Sequence, residues 1–226
     1  MQDIDLNEIW KRYDQKLEEA RLLNLQSWAL NLQHFEIQQK QKTNSVLKGL
    51  AWYKLFLIFA GILWVAFLLF LLFYSLTWSK IFFIISAGAI AIITSIAILV
   101  YIKQVFLISK INPSDSVVDA QKKISVLQTG TMQITRILFL QAPFYCTWFI
   151  SPAMIADNSA ELMFITLPVF LFFMWISFFL YRNINQKNMD KKWFKILFSS
   201  TEWTSLAKSS AFLNEIDEFK KDIIIE

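Results

Sequence analysis

The sequence is short of the residues from which most active sites are assembled. Its 226 residues include one Cys, one His, four Gly and four Pro. Cys146 stands alone, so it forms no intrachain disulfide and gives no clue to a redox compartment; a small apolar side chain is its expected role. His34 has no second His or Cys with which to bind zinc, and its neighbours Leu32, Gln33, Phe35 and Glu36 suit a solvated helix face. With so little Gly there is no phosphate-cradling loop, and no Ser, His and Asp set carries a hydrolase-like local signature. The expectation is therefore no catalytic residue, no metal, no cofactor and no enzyme.

Charge is also missing, from long stretches. Between Lys54 and Lys80 no residue is formally charged, and the same holds for residues 81–102, 137–156 and 162–181. A hydrocarbon core of ~30 Å needs about 20 helical residues, so each run is long enough to cross it. Four helices apolar on every side cannot all be buried in a soluble bundle of this size. A 56% hydrophobic content and a mean hydropathy of +0.44 agree with that exclusion.

The expected fold is all-α. It is a polytopic membrane protein with four transmembrane helices in two antiparallel hairpins, and amphipathic or coiled helices outside the membrane. The expected division is an N-terminal segment 1–54, a first hairpin 55–102 (spans 55–77 and 81–102), a linker 103–136, a second hairpin 137–181 (spans 137–156 and 162–181) and a tail 182–226. Connections of about four to five residues, Thr77 to Lys80 and Asp157 to Glu161, force neighbouring spans to run antiparallel.

Orientation follows from the basic residues. Of the 22 Lys and Arg, all but Lys80 fall in 1–54, 103–136 or 182–226. Lys and Arg resist translocation, so both termini and the middle loop are expected on the cytoplasmic side of a bacterial inner membrane. Trp52, Tyr53, Tyr101 and Tyr181 would line the inner boundary, and Tyr74, Trp78 and Trp148 the outer one. No charged segment followed by a short apolar one precedes residue 50, so no cleaved signal peptide is expected. The net charge of +4 is then an orientation signal satisfied by lipid, and a nucleic-acid partner is not expected.

The N-terminal segment opens with a helix start, Asp5 at the cap, Glu8 three residues on, and Ile4 and Ile9 placed as a hydrophobic staple. Leu6, Trp10, Tyr13, Leu17 and Ala20 then recur at spacings of four and three, the seam of a packed or coiled helix. Asn24 is expected to interrupt it, and Leu25, Trp28, Leu32 and Phe35 take over in a shifted phase before the polar stretch 38–42. Such aromatic weight needs something to pack on. In the middle loop, Asn112-Pro113-Ser114-Asp115 offers a break and caps for a new helix. On that helix Val117, Ala120, Ile124, Leu127, Thr131, Ile134 and Leu138 share one stripe, and Asp119, Lys122 and Lys123 face water. It is expected to run into the third span, with Gly130 as its weak point. In the tail, residues 191–198 mix Lys with Trp and Phe, a pattern suited to the headgroup region. Trp203, Leu206, Leu213, Ile216 and Phe219 follow on one helical side.

Candidate interaction residues are therefore Trp10, Tyr13, Leu17, Trp28, Trp203 and Leu213, for a protein partner or a second copy. Within the membrane, Ala87, Ala91 and Ser95 form a small-residue face for close helix packing. The third span is the most polar, with Pro143, Pro152 and the hydrogen-bonding side chains of Gln141, Tyr145, Thr147 and Ser151. Pro168 would kink the fourth. Broken, polar helices line substrate paths in some transporters. Gln141, however, is expected near the cytoplasmic boundary, and the spans hold no charge of the kind ion or proton coupling uses.

Segments 9–17, 116–124, 142–144 and 212–219 resemble a family of uncharacterised bacterial four-span membrane proteins. The matching residues are Ile9-Trp10-Lys11-Arg12-Tyr13-Asp14-Gln15-Lys16-Leu17, Ser116-Val117-Val118-Asp119-Ala120-Gln121-Lys122-Lys123-Ile124, Ala142-Pro143-Phe144 and Phe212-Leu213-Asn214-Glu215-Ile216-Asp217-Glu218-Phe219. The resemblance implies a four-span fold and a membrane-tethered regulator, because members are often encoded beside sigma-factor-like regulators. The zinc motif of anti-sigma domains, His-xxx-Cys-xx-Cys, is not in this chain. The expected function is a membrane-anchored interaction or regulatory component acting through cytoplasmic helices, with membrane lipids as its other partner. A small transporter or channel subunit using the third span is the alternative, with no small-molecule substrate identifiable.

Overall fold

From Leu6 to Lys48 the chain has neither Pro nor Gly, and Leu, Gln, Lys, Glu and Ala dominate it, all good helix formers. In the computed structural model, which describes residues 6–77, 80–112, 115–157, 160, 162–189 and 191–225, this composition produces one unbroken helix. Helix α1 spans Leu6–Tyr74, 69 residues and therefore about 100 Å. Asn24 does not interrupt it: a polar residue shifts the phase of the apolar seam but removes no backbone hydrogen bond. The proposed cap at Asp5 and the staple residue Ile4 lie outside the described residues.

The remaining elements are α2 (Ile81–Ser109), α3 (Val117–Phe139), α4 (Ala142–Cys146), α5 (Pro152–Ala156), a π-helical turn (Leu162–Thr166) leading into α6 (Leu167–Asn183), a 3₁₀ turn (Gln186–Asn188), α7 (Lys192–Leu197) and α8 (Thr201–Ile225). There is no strand among the described residues. The divisions expected at 54/55, 102/103, 136/137 and 181/182 all fall inside helices, so each apolar run continues into its polar neighbour without a hinge.

Three helical stretches among the described residues are long and apolar enough to cross a membrane, one in α1, one in α2, and Phe164–Asn183. The third apolar run, 137–156, is not a single helix. It comprises the end of α3, a turn, α4, a non-helical stretch and α5. Proline explains both breaks. Pro143 and Pro152 each sit in the first turn of a new short helix, where a missing N–H costs nothing. Pro143 cannot donate to the carbonyl of Phe139, four residues back; the Ser177 hydroxyl of α6 donates to it instead, at 2.8 Å. Pro168 stands in the first turn of α6, directly after the π-helical turn.

Helices α1 and α2 pack with one sequence rising as the other falls. Lys54 lies by Tyr101, Gly61 by Ile98, and Leu68 by Ala87, Ile90 and Ala91. A Cβ on Gly61 would come within 3.1 Å of Ile98, so glycine sets the spacing there. Ala87 and Ala91 are buried against Leu68, with Phe83, Phe144 and Trp148 around them. The small-residue face therefore packs within the chain, and Ser95 bonds back to the Ala91 carbonyl at 2.8 Å.

The largest core lies beyond the apolar runs, where α1, α2, α3 and α8 meet. Leu47, Leu50, Ile108, Ile111, Val117, Ala120, Ile124, Leu127, Leu206, Leu213 and Ile216 are buried together there. Every expected stripe residue of α3 from Val117 to Ile134 is buried, and Leu138 is half-buried. The cap of α3 is one residue later than the expected set: Ser116 Oγ accepts from the Asp119 N–H at 3.1 Å. Asp115 instead accepts from the Asn112 N–H at 3.1 Å and from Lys123 Nζ at 2.6 Å, so Lys123 is half-covered where it was expected to face water. Gly130 lies inside an unbroken α3, where a Cβ would stand 2.9 Å from the amide nitrogen of buried Gln104. It makes room for a neighbour.

A third cluster joins Met132, Ile184, Phe194 and Phe198, with Trp193 and Trp203 packed against it. Phe194 and Phe198 stack at 4.2 Å and Trp203 meets Phe198 edge-on at 5.2 Å. The aromatic residues of 191–198 thus face protein, and Lys191, Lys192, Lys195 and Ile196 are the exposed ones.

Candidate functional site

The position of α8 divides the interaction candidates. It runs back along α1, with Glu202 by Lys54, Phe212 by Lys42, Glu215 by Gln39 and Phe219 by Phe35. Its apolar side is spent on this contact and on α3. Leu213 is buried and Trp203 is half-buried against Phe194 and Phe198, so neither presents a docking surface. Both side chains are taken up where the tail folds onto its own chain.

On α8, Phe219 lies by Phe35, and on α1 every side chain from Trp10 to Asn31 is exposed. Trp10 is 66% exposed, Tyr13 70%, Leu17 68% and Trp28 39%. Leu22, Leu23, Leu25 and Leu30 are exposed as well. Four interaction candidates therefore share an exposed stretch of helix about 30 Å long that leads away from the four-helix core.

The polar residues of the third run make separate contacts. Thr147 Oγ1 lies 2.6 Å from Ser86 Oγ on α2. Gln141 Oε1 accepts a long 3.5 Å bond from Thr94, which places Gln141 about 12 Å inside the end of the second run and not at its boundary. Ser151 caps α5 by accepting from the Met154 N–H at 3.3 Å. The Tyr145 ring packs tilted against Trp148 at 5.4 Å. Each polar group serves helix packing or a helix start. His34 is exposed, and no His, Cys, Asp and Glu cluster able to hold a metal occurs among the described residues.

One constellation was not visible in the sequence. Lys54, the last charge before the first apolar run, is fully buried, with Nζ 3.2 Å from Glu202 Oε1 and 4.5 Å from the centre of the Tyr101 ring. The ammonium and carboxylate approach without hydrogen-bond alignment, and the Tyr101 hydroxyl faces the carboxylate as a donor. Burial pushes the Lys54 ammonium below its ordinary range, and the Glu202 carboxylate opposes that shift. Three helices, α1, α2 and α8, are tied at this point. Lys54 and Glu202 are 148 positions apart, so no spacing rule links them.

Comparison with protein-family models, with curated proteins and with solved structures gave no match.

Proposed function

We propose that the chain crosses a bacterial inner membrane four times, with both termini and residues 103–136 on the cytoplasmic side, and holds the free part of α1 there as a binding element. Three crossings would use α1, α2 and the helix Phe164–Asn183. The fourth would use the broken segment 141–151. In support, Gln141 lies by Thr94, Thr147 by Ser86 and Trp148 by Phe83, so this segment follows α2 toward Lys80. Phe149, Ile150 and Ser151 then share a recess with Ser75 and Lys80 at that end.

The observation that carries the functional reading is the bare seam of α1. Trp10, Tyr13, Leu17 and Trp28 contribute large apolar surface to a stretch of helix, residues 10–31, whose side chains are all exposed, and exposed apolar surface of this kind marks a protein contact. The protein then acts as an anchor or regulator, binding another protein or a second copy through this seam. Crosslinking and pull-down in mild detergent test this. The Trp10→Ala/Tyr13→Ala variant is expected to lose the captured partner or the self-association of the wild type, at an unchanged unfolding temperature. Retention of the contact by the variant contradicts the assignment, as does a wild type that captures no reproducible partner and does not self-associate.

A further inference from the structure

Where α3 meets the connection from α6 to α7, the chain forms an open recess of about 400 Å³ lined by Thr129, Met132, Gln133, Arg136, Ile184, Asn185 and Lys187. Two of these residues are cations and none is an acid. Arg136 directly precedes the third apolar run and Lys187 closely follows the fourth, so both stand where those runs emerge on the same side. Met132 and Ile184 are buried and form an apolar floor. Arg136 leans on the Tyr181 ring at 6.0 Å, yet its Nε is enclosed and has no hydrogen-bond acceptor. Asn185 Nδ2 donates to the Arg182 carbonyl at 3.4 Å, and the amide of Gln133 stands at the rim.

An enclosed guanidinium N–H without an acceptor is costly unless something supplies one. A phosphate oxygen does so with suitable geometry, since the planar guanidinium fork matches phosphate and a nearby ammonium adds charge. Basic pockets between helices at the cytoplasmic boundary are the sites where phospholipid headgroups are held. We infer that this recess binds a phosphate group, with Arg136 as its main donor and Lys187 as its second charge. The phosphate is that of a membrane phospholipid or a free one. The lipid source rests on the four-span reading above; the phosphate chemistry does not.

The test uses the full chain in neutral detergent, titrated separately with short-chain phosphatidylglycerol, phosphatidylcholine of the same chain length, and inorganic phosphate. Binding is followed by the rise in unfolding temperature. Phosphatidylglycerol is expected to bind more tightly than phosphatidylcholine. Arg136→Gln should weaken it about tenfold and Arg136→Lys less, because Lys keeps the charge and loses the fork. Lys187→Gln, an exposed position that leaves the fold intact, should weaken it about threefold, and Lys195→Gln, an exposed cation outside the recess, should have no effect. Saturation by inorganic phosphate with the same dependence on Arg136 supports the site with a free anion as its ligand. No preference for phosphatidylglycerol together with no phosphate effect overturns the proposal. Equal weakening by Lys187→Gln and Lys195→Gln also overturns it, since the binding would then be diffuse surface charge.

Discussion

The Lys54–Glu202 pair concentrates the energetic risk of this fold in two side chains. Both are removed from water, so each depends on the other to offset its desolvation. Glu202→Leu alone is expected to cost about 3 kcal/mol, because it leaves an ammonium buried without a counter-charge. The double variant Lys54→Met/Glu202→Leu should recover most of that loss, and a double-mutant cycle on unfolding in detergent measures it. Asp115 behaves differently because it is only half-covered and water still reaches it. Lys123 and the Asn112 N–H hold its carboxyl below the ordinary range, so its contribution is present above the unfolded-chain value of about 3.9 and is lost as pH falls through the lower folded-state value. The difference in unfolding midpoint between wild type and Asp115→Asn should therefore be present at pH 6 and shrink below about pH 4.

Among the elements, α3 and the third apolar run show opposite relations between pattern and structure. The stripe of α3 was legible because one helix face meets one core, and period alone identifies which residues are buried. In the third run composition indicated a span, but the backbone follows Pro143 and Pro152, whose effect depends on which neighbour supplies the lost hydrogen bond. Here Ser177 supplies it. Ser177→Ala should cost about 1–3 kcal/mol by leaving the Phe139 carbonyl without a donor. Adding Pro143→Ala restores an N–H four residues on, so the double variant should be more stable than Ser177→Ala alone. Equal stability of the two in thermal unfolding would contradict this account of the break. Helix α8 shows the other limit. Its amphipathic side was readable, but whether Leu206, Leu213 and Ile216 met a partner or the chain itself depended on an antiparallel match with α1 that no local pattern encodes.

For the whole molecule, the apolar runs and the distribution of Lys and Arg give a topology, and the helices give it continuity. Helix α1 joins the free seam, the four-helix core and the first apolar run in one rod, so anything bound near Trp10 is held at a set height above the Lys54–Glu202 tie. The account depends on the broken segment 141–151 crossing the membrane, which puts the tail on the same side as the N-terminus. Cysteine labelling in intact cells tests this, using a Cys146→Ser background with single cysteines at Lys80, Lys122, Asp157 and Lys208. A membrane-impermeant maleimide should label Lys80→Cys and Asp157→Cys and leave Lys122→Cys and Lys208→Cys unlabelled until the cells are opened. Protection of Asp157→Cys together with labelling of Lys208→Cys would mean three crossings and would contradict the account.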